Sequence, residues 1–206
     1  MQFWLEHSGV GVSAISGVLA ARGKRVDLFS VLGLSLVTAV GGGTVRDLLV
    51  GDLPVVWIRE PSLPLNASLL AIVTFFVRRV RELPRGFLLV ADAFALALFT
   101  IIGTRKGVAL HFTLPVAVLL GVITGVAGGI LRDVLTGEVP LVFQPQIYLY
   151  ATAALAGGTA FVLLNQWQPG QPWVTISCTG LILALRLIGI RLKLALPVLA
   201  PDPGKL

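Results

Sequence analysis

GGGTVRDLLVGDLP, at Gly41–Pro54, returns 86 positions later as AGGILRDVLTGEVP, at Ala127–Pro140. Gly42, Gly43, Arg46, Asp47, Leu49, Gly51 and Pro54 meet identical residues in that register, and Asp52 meets Glu138. The same offset pairs Val37-Thr38 with Ile123-Thr124, Gly17 with Gly103 and Trp57 with Phe143. A gap-free register of this length marks an internal duplication, and the meaning of the doubled glycine-Arg-Asp stretch depends on the solvent around it.

Composition indicates that solvent. Of 206 residues, 56% are hydrophobic and 13% charged, with mean hydropathy +0.92. A soluble domain carries about 25% charged residues. A helix needs about 20 apolar residues to cross a bilayer, and seven candidate spans can be placed at 8–21, 28–50, 65–80, 87–104, 113–136, 147–164 and 173–190. Almost nothing remains for an aqueous domain. The expected fold is therefore an all-α integral membrane protein, a single transmembrane domain over 1–206. The first stretch lacks the positive flank and small-residue cleavage site of a signal peptide. Cys178 is the only cysteine, which rules out an intramolecular disulfide.

Each repeat holds three spans, repeat 1 over about 8–82 and repeat 2 over about 87–166, with a seventh helix over about 173–194. An odd number of spans reverses direction, so the second repeat is expected to insert upside down. Transport proteins built this way place the working site near the midplane, where the repeats meet.

The net charge of +6 follows topology rather than nucleic acid. Arg22, Lys24 and Arg25, then Arg78, Arg79, Arg81 and Arg85, then Arg191 and Lys193 fall on one face of a seven-span protein, against mainly Arg59, Arg105 and Lys106 on the other. The excess of basic residues in cytoplasmic loops predicts an external N-terminus and a cytoplasmic C-terminus. Trp57, Trp167 and Trp173 lie near span ends, as interfacial aromatics do.

The glycines sit inside the second and fifth spans, not between a strand and a helix, so they form no nucleotide-binding loop. Each weakens a helix by about 1 kcal/mol relative to alanine. Gly41, Gly42 and Gly43, and their counterparts Gly128 and Gly129, are expected to bend or locally unwind their spans. Backbone released in lipid is tolerated only where protein or water satisfies it, which suggests a polar path. The alternative is close packing: Gly121, Gly125 and Gly129 form GxxxGxxxG, matched by Ser35, Ala39 and Gly43.

Arg46–Asp47 and Arg132–Asp133 follow the two glycine clusters and would lie at the two mouths of such a path. Ionisable groups at membrane depth face a cavity or each other; the alternative is a structural ion pair closing the turn that follows. Thr38 and Thr124, one turn earlier, offer hydroxyls to a dehydrated cation or bond back to their own helices. Asp92 has no local cation and reads as a charge facing the pore or a neighbouring helix. Arg186 is expected to snorkel to the cytoplasmic face. His7 and His111 have no partners at ligand spacing, so no metal site is expected. No nucleophile–base pair or paired-carboxylate site points to an enzyme or to a cofactor.

The doubled motif and seven spans resemble the prokaryotic branch of the trimeric intracellular cation channels, a small bacterial membrane family with a domain labelled glycine transporter. The resemblance runs from span 1 through span 7. It implies a homotrimer in the inner membrane, in contact with lipid; the charge distribution points to no nucleic-acid partner. Each subunit would have its own pore, passing monovalent cations, chiefly potassium, with sodium also possible. It also implies kinks at Gly41–Gly43 and Ala127–Gly129; Ala127, in place of the first glycine, departs from the triplet. The basic lipid-binding motif that animal members carry on their fourth helix has no match in this chain. A secondary transporter of a small solute such as glycine fits the repeats equally.

Overall fold

The computed structural model describes residues 1–80, 84, 86–144 and 149–193. Arg81 and Arg85 of the basic loop and the beginning of the sixth predicted span lie outside the described residues. So does the last residue of the seventh helix as drawn from sequence.

Among the described residues there is no strand. The long helices are α1 (Gln2–Ala20), α2 (Leu28–Val50), α4 (Ser62–Val80), α5 (Phe87–Ala109), α6 (Leu114–Leu135), α7 (Tyr150–Trp167) and α8 (Pro172–Leu192). The short α3 (Val56–Arg59) follows α2, and a 3-10 turn at Leu141–Phe143 follows α6. Local chemistry sets the ends. Asp27 caps α2 by accepting from the Ser30 amide at 2.8 Å. Gly51, at φ 67°, ends α2 in the left-handed region that glycine enters without strain. Prolines at the first turns of α6 and α8 supply a preset φ where no amide partner is needed.

Helices α2, α5, α6 and α8 combine 21–23 residues with hydropathy of 1.8–2.3. At 1.5 Å per residue that is about 32–34 Å, enough to cross a hydrocarbon core of about 30 Å. Helices α1, α4 and α7 are shorter, at 19, 19 and 18 residues, with polar or basic residues near their ends. By composition alone they fall below the other four.

Helix α5 is the central post. It packs on α1, α6, α7 and α8, while α6 packs on α2, α5 and α7. Lipid offers no hydrophobic driving force between helices, so close approach does the holding. The contacts repeat in register. A Cβ on Gly17 would lie 2.7 Å from the Ser35 Cα, and one on Gly103 would lie 2.9 Å from the Gly121 Cα, the same pair 86 positions on. One apolar cluster gathers Val10, Ala14, Ala39, Leu63 and Phe99 around α1; another gathers Ala97, Ile101, Val118, Phe161 and Ile182 around α7 and α8.

The expected unwinding at the glycines does not occur. Helix α2 runs without a break through Gly41–Gly43, and α6 through Ala127–Gly129. Backbone bonds have no water competitor in such a crossing, so glycine's intrinsic cost does not open them. The packing alternative holds on one face: Gly121, Gly125 and Gly129 lie against Thr104, Thr100 and Asp92 of α5.

Candidate functional site

The second face of each glycine cluster makes the α2–α6 crossing. A methyl group at Gly42 would run into the Thr124 carbonyl oxygen, and one at Gly128 into the Thr38 carbonyl oxygen. Gly41 faces the Leu131 side chain. Thr38 and Thr124 donate back to the carbonyls of Leu34 at 2.7 Å and Leu120 at 2.6 Å. The hydroxyl protons are thus used within each helix. Both threonines, with Gly42, Gly128 and Gly129, line a cavity of about 10 Å³, room for about one water.

Larger cavities lie on either side. At the C-terminal end of α2 a vestibule of about 340 Å³ is lined by Glu6, Arg46, Asp52, Arg59, Arg105 and Lys106. A neck of about 20 Å³ adjoins it, sharing Glu6 and Arg46 with the vestibule and also touching Val10 and Gly43. Beyond the crossing, a cavity of about 280 Å³ touches Leu19, Arg22, Asp133 and Glu138. Helix α1 walls the whole series, with Glu6 at one end, Ser13 and Ser16 at the centre and Leu19 at the other end.

Both Arg-Asp pairs are buried and closed. Arg46 Nε donates to Asp47 Oδ1 at 2.9 Å, and Arg132 Nε to Asp133 Oδ1 at 2.7 Å. The free oxygen of each aspartate accepts a backbone amide from the turn that follows: Val56 on Asp47 and Leu141 on Asp133, each at 2.8 Å. The turn-closing reading of these pairs therefore describes the aspartates.

Partners from the other repeat complete each cluster. Lys106 of α5 bonds Asp47 Oδ1 at 2.5 Å and also Asp52, which Arg59 holds too. Hydrogen bonds from Lys106 first and Arg59 second hold the Asp52 carboxyl below its ordinary range. Conversely, Lys24, just after α1, bonds Glu138 at 2.8 Å and the Thr136 carbonyl. Asp92 is the counterion that sequence left without a partner. Arg132 Nη1 lies 2.9 Å from its Oδ1 and also bonds Ser16, and Arg186 Nη2 lies 3.9 Å from its Oδ2. Arg186 does not snorkel: it is fully buried, with its guanidinium carbon 4.4 Å from the Tyr150 ring centroid. Paired charge keeps it inside.

Of the residues singled out in the sequence, Thr38, Thr124, Gly42, Gly43, Gly128, Gly129, Asp92, Arg46, Arg132 and Asp133 line cavities, whereas Gly41 and Asp47 line none of those described. Sequence reasoning missed Ser13, Ser16, Lys24, Lys106 and Tyr150. Ser13 and Ser16 share a helix face at three-residue spacing, a signal that was available. Among the described residues no group of histidine, cysteine and acidic side chains has metal-binding geometry.

A family described as glycine transporter matches residues 3–79 and again 89–166. The inner membrane protein YadS of Escherichia coli is 43% identical over 97% of both chains. A solved trimeric intracellular cation channel orthologue from Rhodobacter sphaeroides is 34% identical with a TM-score of 0.87, covering 94% of this chain and 98% of its own. A structure described as showing the basis for conductance through these cation channels is 31% identical with a TM-score of 0.86, covering 97% and 98%. The chain belongs to the bacterial branch of the trimeric intracellular cation channel family. It is a multi-pass membrane protein of a channel family, not of an enzyme family.

Proposed function

We propose that the chain forms a potassium-permeable channel for monovalent cations, with one path in each subunit. The observation that carries this is the row of separate cavities walled by α1, at the Arg46 cluster, at the Gly42–Gly128 crossing and beside Asp133. Relatives described as cation channels support the same reading. The crossing is the closed gate: a space for about one water passes no ion stream. Opening requires α2 and α6 to part or bend at the glycines, with the Thr38 and Thr124 oxygens lining the path. Arg46 and Arg132, held by Asp47 and Asp133, are the mouth charges that gate it.

The matched family segments, 3–79 and 89–166, support two inverted three-span repeats plus α8, seven spans in all. We place the chain in the inner membrane as a homotrimer with an external N-terminus. A C-terminal reporter active only outside the cell would overturn that orientation. A stable monomer in detergent, measured by mass, would overturn the trimer.

A secondary transporter of a small solute is the second reading, favoured by a central space closed from both mouths. Purified protein in planar bilayers under a potassium gradient separates the two. Unitary currents far above about a thousand ions per second are expected, because alternating-access steps take microseconds to milliseconds or longer. Steady flux without unitary currents would favour the transporter.

A further inference from the structure

The 86-position register pairs Arg46 with Arg132 and Glu6 with Asp92. The two half-sites are not in the same state. Asp92 is neutralised, with Arg132 at 2.9 Å and Arg186 at 3.9 Å. Glu6 lines the vestibule and its neck alongside Arg46. Yet Arg46 is held by Asp47, and among the described residues Glu6 accepts only from the Gln2 side-chain amide at 3.0 Å. Among the described residues no basic group stands within ion-pair distance of Glu6. The other two acids of this mouth, Asp47 and Asp52, are both tied to Lys106. Arg105, in the vestibule but not the neck, has a buried Nη1 without an acceptor.

We infer that Glu6 is the selectivity-determining carboxylate of this mouth, a role that rests on the channel reading above. An ion moving from vestibule to neck passes the one carboxylate there that no protein cation neutralises. In the neck the other charged group, Arg46, is neutralised by Asp47, so Glu6 leaves that point attractive to cations. Without it, Arg46, Arg59, Arg105 and Lys106 face only Asp47 and Asp52 at this mouth, and the positive excess repels them.

The test compares unitary potassium conductance and reversal potential of the full chain with those of Glu6→Gln in planar bilayers. Salt is set at roughly 10 mM, where charge acts over about 30 Å, and at about 1 M, where it acts over about 3 Å. At low salt Glu6→Gln is expected to lower conductance about fivefold, the effect of one unit charge at close range in a water-filled mouth, and to move the reversal potential towards that of chloride. At high salt the loss should shrink. Glu6→Asp keeps the carboxylate and should stay near the parent. Glu60→Gln removes an exposed acid at the same end that lines neither cavity and should change nothing. A Glu6→Gln channel that matches the parent at low salt overturns the inference and leaves the channel reading standing. An equal loss in Glu60→Gln overturns it too, as a general surface effect. Failure of Glu6→Gln to assemble would make the role structural and overturn it as well. A parent that never conducts overturns both.

Discussion

Gly42→Ala is expected to cripple the protein, while Gly43→Ala, its neighbour in the same triplet, leaves it close to the parent. The difference comes from what each new methyl would meet. At Gly42 it meets a main-chain oxygen, that of Thr124, which no rotamer change can move aside. At Gly43 it finds the Val56 Cγ1 at 3.5 Å and an Arg46 nitrogen at 3.8 Å, ordinary contacts. Helices α2 and α6 must separate to admit the first methyl, at a cost typical of overpacking, about 1–3 kcal/mol. Gly128→Ala should match Gly42→Ala, because it meets the Thr38 carbonyl in the same way. Thermal unfolding in detergent and single-channel recording both read the outcome. Equal effects of Gly42→Ala and Gly43→Ala would show that helix flexibility, not the crossing, sets the requirement.

Arg132→Met is expected to be the most destabilising charge removal in the chain. Arg132 is 1% exposed and holds Asp92, Asp133 and Ser16 together across three helices. Its loss leaves buried Asp133 with no cation and Asp92 with only Arg186 at 3.9 Å, a situation that costs about 3–5 kcal/mol. The register-equivalent Arg46→Met should cost clearly less, because Asp47 keeps Lys106 at 2.5 Å. Adding Asp133→Asn to Arg132→Met should restore part of the loss, since the carboxylate left with no cation goes with it, whereas Asp92 keeps Arg186. Melting temperatures of the three variants decide this. Arg46→Met falling as far as Arg132→Met would mean that Lys106 carries no share of the first cluster.

The bounds of α2 were legible to the residue, because Asp27 and Gly51 are strong caps around an unbroken apolar run. Helix α1 begins at Gln2, ahead of the span placed at 8–21, and in the fold Glu6 faces a cavity while His7 bonds the Phe3 carbonyl and Ser62. The short helix after Pro54 and the turn after Pro140 are too brief to leave a periodic trace. The Arg-Asp pairs were visible because their members are adjacent. Their further partners were not: Lys106 is 59 residues from Asp47, and Lys24 is 114 from Glu138. Arg186 was misread for the same reason, since the groups that hold it, Asp92 and Tyr150, come from other helices. The triplet read as a helix breaker because propensity scales are blind to a neighbouring carbonyl.

The reciprocal contact of Gly42 with Thr124 and Gly128 with Thr38 also bears on how such a chain can evolve. In a half-length protein pairing with its own copy, one glycine codon would govern both sides of the crossing, and a single mutation would strike twice. In this chain the codons are separate, so either side can drift while its mate holds. Ala127 is such a change. It stands where the first copy has Gly41, and it is accommodated within the buried crossing. Gly42 and Gly128 have no such latitude, since each faces backbone. Separate codons leave the margin of the crossing free to become unequal while its centre stays fixed, and unequal halves can specialise the two mouths separately.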